Sequence, residues 1–328
     1  GLAFCTKTLG TKDGVSEMLG ELKRETFDKH GAFTVGEVFN ITDDDLSDFI
    51  GENGYFSTIF DFSTELLSAG EHGWYDAPDV AFPAWKKAIF HAQDQAYGCG
   101  FESNIIENHD EPRGASRYLP VYARNSCGTK MLGTMSLLLR GLPFIFQGQE
   151  IGMTNSVFDG IEDFDDVEIH NCWKERVVEG HEDPETLLKA MRFRARDNAR
   201  TPMQWDDSDN AGFTTGKPWM KINPNYKEIN VKEALADPES VFHYMQKLIR
   251  MRKENPVAVY GVYKEYQHDN EQLFLYERVL EEEGQKARTM YVVLNFSDHE
   301  AEFEKPEEWD GAAKYLIGNM SEAPLENR

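Results

Sequence analysis

Short apolar runs along the first half of the chain end abruptly in polar clusters. Ala32-Phe33-Thr34-Val35 leads into Gly36-Glu37. Asn104-Ile105-Ile106-Glu107 leads into Asn108-His109-Asp110-Glu111-Pro112-Arg113. Gly141-Leu142-Pro143-Phe144-Ile145-Phe146 ends at Gln147-Gly148-Gln149-Glu150. Runs this short and this apolar read as buried strands. Residues 55–62 alternate polar and aromatic positions and read as one more strand. Between them the apolar spacing is helical, over 13–30, 42–49, 82–97 and 123–140. Gly31 stops the first of these helices, and Thr42 is a candidate N-cap for the second, ahead of three aspartates that suit its positive end. Strand and helix alternate four times over about 150 residues, the rhythm of a parallel α/β fold. Either a (β/α)8 barrel or an open doubly wound sheet satisfies that rhythm. The chain has no Gly-x-Gly-x-x-Gly after a strand, which argues against a dinucleotide fold.

From Ile151 to Pro238 the pattern reads as a long, loop-rich excursion carrying Arg192, Arg194, Arg196 and Arg200. A segment of that length between elements is usually a lid or functional insertion. Its arginines are interleaved with acids, so internal ion pairing is expected of them rather than phosphate binding. An amphipathic helix over 240–255 follows, and Asn255-Pro256 ends it. Beyond it the period switches to two, in Phe274–Tyr276, Met290–Asn295 and Lys314–Ile317. This predicts a small antiparallel β domain over 256–328, after an α/β part over 1–255.

Parallel folds place their sites at strand C-terminal ends, where Glu37, Asp110 and Glu150 lie. A carboxylate there is costly unless it is solvated, paired or used. Net charge narrows the partner class. With 34 basic and 58 acidic residues the chain carries −24, which repels phosphate backbones and excludes nucleic acid as an expected partner. No run is long enough to cross a membrane. Cys5, Cys99, Cys127 and Cys172 are far apart and form no Cys-x-x-Cys pair. Free thiols in a reducing, cytoplasmic setting are therefore expected, without a zinc site.

Four motifs then occur in order: Val35-Gly36-Glu37, Ile106-Glu107-Asn108-His109-Asp110, Gln147-Gly148-Gln149-Glu150-Ile151-Gly152-Met153-Thr154, and Ala199-Arg200-Thr201-Pro202-Met203-Gln204-Trp205. Together with Asn210–Gly216 and Asn223-Pro224-Asn225-Tyr226 they resemble the α-amylase superfamily, glycoside hydrolase family 13, in its oligo-1,6-glucosidase and α-glucosidase branch. Gln149 departs from the Gln-Gly-Glu-Glu usual in that branch. The resemblance covers nearly the whole chain. It implies an α/β fold: the C-terminal half of a (β/α)8 barrel, strands five to eight, followed by an antiparallel β-sandwich. It implies Glu37 as proton donor and Asp110 as the transition-state-stabilising carboxylate. His109 matches a sugar-hydroxyl ligand, and Arg200 the arginine that closes a terminal-glucose pocket.

The residue types suit the chemistry. A glycosidic oxygen leaves only when protonated, so one acid must hold its proton near neutral pH, and burial of Glu37 at a strand end is expected to do this. The oxocarbenium-like transition state needs a second, anionic group. A retaining enzyme also needs a nucleophile, which in this family is an aspartate in a Gly-Phe-Arg-x-Asp context upstream of the donor. Only 36 residues precede Glu37 and no such motif is among them. The resemblance therefore implies a fragment that is inactive alone, whose partners are an oligosaccharide and the missing N-terminal half of the barrel. It implies no cofactor, the family's calcium loop lying outside this chain. The alternatives are a trehalose-6-phosphate hydrolase or sucrose-acting relative and, in another class, a non-catalytic sugar-binding relative.

Overall fold

The computed structural model describes residues 14–320, apart from 40, 72, 77–79, 303–304, 308 and 310–312. The expected N-terminal loop, 1–12, lies outside the described residues. Helix α1 (Val15–Leu22) runs on through a π turn, Lys23–Phe27, to His30. Gly31 ends it at φ 56°, a left-handed stop that glycine adopts without a Cβ penalty. The apolar stripe of α1 is not a core face in this chain: Met18 is 63% and Leu22 41% exposed. The next expected helix is a 3-10 turn, Asp43–Asp45, leading into Leu46–Phe49. Thr42 does not cap it through a backbone N–H; its hydroxyl donates to the Asp45 carboxylate at 2.7 Å.

Four short strands follow the sequence reading. They are β1 (Val35–Gly36), β2 (Thr58–Ile59), β3 (Ser103–Asn104) and β4 (Leu142–Pro143). β1 pairs with β2 in parallel, Val35 opposite Thr58. A parallel bridge from Phe60 to Ser103 carries the ladder onward, and β3 pairs with β4, Ser103 opposite Leu142. The staves thus stand in chain order, all pointing the same way. Helices α2 (Phe82–Ala96), α3 (Gly114–Tyr118) and α4 (Ser126–Leu138) lie between them in sequence.

The 151–238 segment is not mainly loop. It holds α5 (Val167–Trp173), α6 (Pro184–Arg194), α7 (Asp197–Arg200) and α8 (Val231–Ala236). α5 and α6 close their own core of Phe158, Phe164, Ile169, Leu187 and Met191. α6 starts on a cap and a proline: Asp183 caps Thr186 N–H at 2.8 Å and Pro184 stands in the first turn, where a missing N–H costs nothing.

α9 (Val241–Glu254), capped by Ser240, packs along α4. Gly133 stands at the crossing, where a Cβ would lie 2.5 Å from Met245 Sδ and the thioether would have to shift. α10 (Pro256–Tyr260) leads to β5 (Val262–Tyr266), β6 (Leu273–Leu280) and β7 (Arg288–Asn295). These form an antiparallel sheet in the order β5-β6-β7, with Tyr266 opposite Leu275 and Leu273 opposite Asn295. Among the described residues this three-stranded sheet stands where a sandwich was expected. Lys314–Ile317 forms no strand; Tyr315 and Leu316 are 43% and 48% exposed.

One apolar core joins helices and sheet: Trp85 and Phe90 of α2, Leu132 and Met135 of α4, Leu248 of α9, and Phe274 and Tyr276 of β6. Full burial of each such side chain is worth about 1.5–3 kcal/mol. Two buried guanidiniums staple this core. Arg252 donates to the carbonyls of Leu137 (2.7 Å), Ala258 (2.8 Å) and Gly141 (2.7 Å). Arg278 donates to Leu138 (2.8 Å), Ala258 (2.9 Å) and Gly261 (2.7 Å). They satisfy the orphan carbonyls at the C-terminal ends of α4 and α10, where positive charge is favoured. Among the described residues, no helix is long and apolar enough to cross a membrane, and Cys99, Cys127 and Cys172 are free thiols.

Candidate active site

Because the staves are parallel, the loops leaving their C-terminal ends lie on one rim. Glu37 directly follows β1. The exit of that strand is tight: a Cβ on Gly36 would come within 2.6 Å of the Phe56 ring. Beyond it Phe39 stacks on Phe62, centroids 4.3 Å apart and planes 8° from parallel. Glu37 itself is exposed, so the burial expected to keep its proton is absent from this chain. The reason is geometric: β1 is an outermost stave, with strand only on its β2 side.

Asp110 belongs to the loop after β3. Asn108 builds that loop, its side-chain oxygen accepting the Asp110 N–H at 2.7 Å, a turn that asparagine favours. The Asp110 carboxylate is ringed by cations. One oxygen accepts from Arg200 Nη2 at 2.5 Å and from Arg196 Nη1 at 3.3 Å, and the other faces His109 Nε2 at 3.1 Å. Arg200 also donates through Nε to the His109 carbonyl at 2.9 Å. The geometry thus brings His109, Asp110 and Arg200 into one cluster, two staves from Glu37. Glu150, the third strand-end acid, serves its own turn by accepting Gly148 N–H at 2.7 Å. At Gln149 the side-chain oxygen accepts the Phe146 N–H at 3.0 Å, a task a carboxylate oxygen also performs, while its buried Nε2 has no hydrogen-bond partner among the described residues.

Behind Asp110 lies a buried charge cluster that the sequence reading missed. Glu111 accepts from Arg117 at 2.7 Å and from Arg194 at 2.7 and 2.9 Å, and Arg117 also bonds Glu65 at 2.7 Å. Arg117 further donates to Ser68 Oγ at 2.8 Å. Two acids face two arginines, so each buried guanidinium has acidic partners. Burial, reinforced by neighbouring Glu65, pushes the Glu111 carboxyl up to about 8. Burial pushes Glu65 upward too, but Arg117, the hydrogen bond with Glu111 and Arg194 together outweigh it and hold that carboxyl below its ordinary value.

Arg113, also missed, ties the rim loops together. Its side chain is 1% exposed. It donates to the carbonyls of Gln147 (2.6 Å) and Ala199 (3.3 Å), its backbone N–H reaches Asn155 Oδ1 (2.9 Å), and its guanidinium faces the Phe146 ring. The Glu-Pro-Arg directly after Asp110 and the arginine spacing over 192–200 were the available signals. The expectation of internal pairing holds, since Arg192, Arg194, Arg196 and Arg200 meet Glu185, Glu111, Asp166 and Asp110.

Parallel staves with acids on one rim and an antiparallel sheet behind them define an α/β protein of barrel type with a C-terminal β element. The chain belongs to the alpha-amylase family: the model of the alpha-amylase catalytic domain matches residues 8–261. The oligo-1,6-glucosidase of Parageobacillus thermoglucosidasius is 41% identical over 294 residues, covering 89% of this chain and 51% of that protein. The trehalose-6-phosphate hydrolase of Escherichia coli (strain K12) is 37% identical over 284 residues, covering 86% and 50%. A trehalulose synthase variant solved in complex with Tris superposes with a TM-score of 0.87 at 34% identity, covering 96% of this chain and 56% of that one. The chain spans about half the length of the curated relatives it matches.

Proposed function

We propose that this chain forms the C-terminal half of the (β/α)8 barrel, with its C-terminal β domain, of a retaining α-glucosidase acting on terminal α-1,6 or α-1,4 bonds of short oligosaccharides such as isomaltose. Residues 1–255 are assigned to the barrel part and 256–328 to the C-terminal domain. A burial gradient supports the half-barrel reading. Both residues of β2 and of β3 are buried, whereas those of β4 and Val35 of β1 are only partly so. Phe33 beside β1 is 62% and Ile145 beside β4 is 37% exposed. Unpaired edges with apolar neighbours are what a second half-barrel covers.

In this reading Glu37 gives its proton to the glycosidic oxygen as the bond to C1 breaks. A carboxylate from the other half attacks C1, and Asp110 stabilises the cationic ring by its charge. Water then cleaves the glycosyl–enzyme bond, losing its proton to Glu37. His109 and Arg200 hold sugar hydroxyls and close the terminal-glucose pocket. The single observation that carries this is the Asp110–Arg200 pair, set at a strand C-terminal end on the rim that also bears Glu37.

The purified chain alone is expected not to hydrolyse 4-nitrophenyl α-glucoside. Turnover that Glu37→Gln abolishes refutes the half-site reading. Supplying the N-terminal half of the Parageobacillus relative is expected to restore hydrolysis, and Glu37→Gln or Asp110→Asn to remove it. Restored turnover that survives Glu37→Gln refutes the acid assignment. The matches to a trehalose-6-phosphate hydrolase and to a trehalulose synthase support a second reading. Preference of the restored enzyme for trehalose 6-phosphate or sucrose over isomaltose is its signature.

A further inference from the structure

We propose that the open face of Trp219 is a stacking platform for a second pyranose ring of the substrate, on the rim beside Asp110. This rests on the glucosidase reading above and adds a binding position to it.

Trp219 is 59% exposed, yet it is held. Its indole Nε1–H donates to the Arg200 carbonyl at 3.0 Å. Its ring meets Phe213 edge to face, centroids 4.8 Å apart at 85°. Arg200 is the residue whose guanidinium grips Asp110 at 2.5 Å. One residue therefore links the indole to the carboxylate, and the polar edge of the indole is satisfied while a face is left to solvent. A pyranose presents C–H groups on one face and hydroxyls around its perimeter. An aromatic ring with a satisfied polar edge and an open apolar face matches that shape. Exposed apolar groups on the outer staves differ: Phe33 and Ile145 sit at unpaired strand edges, where missing staves belong, and neither has this bracing.

The loop that delivers these rings is itself over-determined. Asn210 and Ala211 stand at φ 54° and 57°, a left-handed conformation that costs a non-glycine residue about 1–2 kcal/mol. Ala211 is fully buried and its carbonyl accepts the N–H groups of Trp205 at 2.8 Å and Asp206 at 3.2 Å. Asn210 Nδ2 donates to the carbonyls of Thr214 and Gly216 at 3.1 and 3.2 Å. These bonds hold the loop that carries Phe213, against whose ring Trp219 packs.

The test is calorimetric titration of this chain with isomaltotriose and with methyl α-glucoside, on the wild type, Trp219→Ala, Trp219→Phe and Asp110→Asn. Isomaltotriose is expected to bind more tightly than the monosaccharide. Trp219→Ala is expected to weaken the trisaccharide about tenfold, the scale of one lost aromatic contact, and to leave methyl α-glucoside unchanged. Trp219→Phe loses the hydrogen bond to Arg200 but keeps a face, and is expected to retain most of the trisaccharide affinity. If Asp110→Asn removes glucoside binding while Trp219→Ala leaves the trisaccharide preference intact, the platform is overturned and the glucosidase reading stands. The platform is overturned in the same way if Trp219→Ala changes only the self-association of the chain. If neither sugar binds the wild type, the platform is overturned for this chain, while the glucosidase reading is decided by the restored hydrolysis described above.

Discussion

Asp110 and Glu37 share a rim but not a setting. Asp110 is gripped by Arg200 and Arg196, and its neighbour Glu111 is held between the buried Arg117 and Arg194. Glu37 is exposed and, among the described residues, makes no hydrogen bond or ion pair. The contrast is one of preorganisation. In the roles proposed above, an electrostatic stabiliser works only if its charge is fixed before the reaction, and Arg196 and Arg200 fix that of Asp110. A proton donor needs to be shielded from water, and among the described residues nothing shields Glu37.

The largest expected effect comes from dismantling the Asp110 side. Arg117→Ala leaves Glu65 and Glu111 buried beside each other with one arginine between them. A loss of about 3–5 kcal/mol is expected, the cost of stripping one partner from a buried pair, read as a drop in the urea midpoint. Next is the dependence on pH. Glu111 is raised in the folded chain, so its contribution is present below the ordinary glutamate range and is lost as pH rises through about 8. Stability is therefore expected to decline between roughly pH 5 and 8, and Glu111→Gln to flatten that decline. An unchanged slope in the variant removes Glu111 as its source. Asp110→Asn acts on a half-exposed carboxylate, and a loss of about 1 kcal/mol or less is expected, with a change in Trp219 fluorescence as Arg200 is released. Glu37→Gln is expected to move stability by no more than about 0.5 kcal/mol. A larger shift would show that Glu37 is braced after all and erase the contrast.

Much of this was legible in the sequence, for physical reasons that also mark the limit. The staves were readable because short apolar runs end in acids, and His109 and Asp110 stand just beyond such a run; Arg200, at the end of α7, was singled out only by its motif. The arginines of 192–200 were readable as ion-paired because acids surround them. The cluster behind Asp110 was not readable, because its partners are distant in the chain: Arg117 and Glu65 lie 52 residues apart, Arg194 and Glu111 83 apart. Helices α5 and α6 were hidden by acidic residues that dilute the apolar period, although Asp183-Pro184 marked one start. Lys314–Ile317 has strand composition but no ladder partner among the described residues, and a lone strand gains nothing from its propensity. The exposure of Glu37 was unreadable for a different reason: local sequence fixes where a strand ends, while neighbouring staves decide whether that end is wet.

Arg252 and Arg278 bear on how far the two parts of the chain are autonomous. Arg252 is rooted in α9 and Arg278 in β6, yet both reach carbonyls at the end of α4, and both bond Ala258. Cutting the chain after Asn255 would take away Arg278 and the Ala258 acceptor together. Helix α4 would lose a cap, and Arg252 would keep a buried cation with fewer oxygens to hold it. The sheet and the helices beneath it should accordingly melt in one cooperative transition, with no temperature at which either outlives the other.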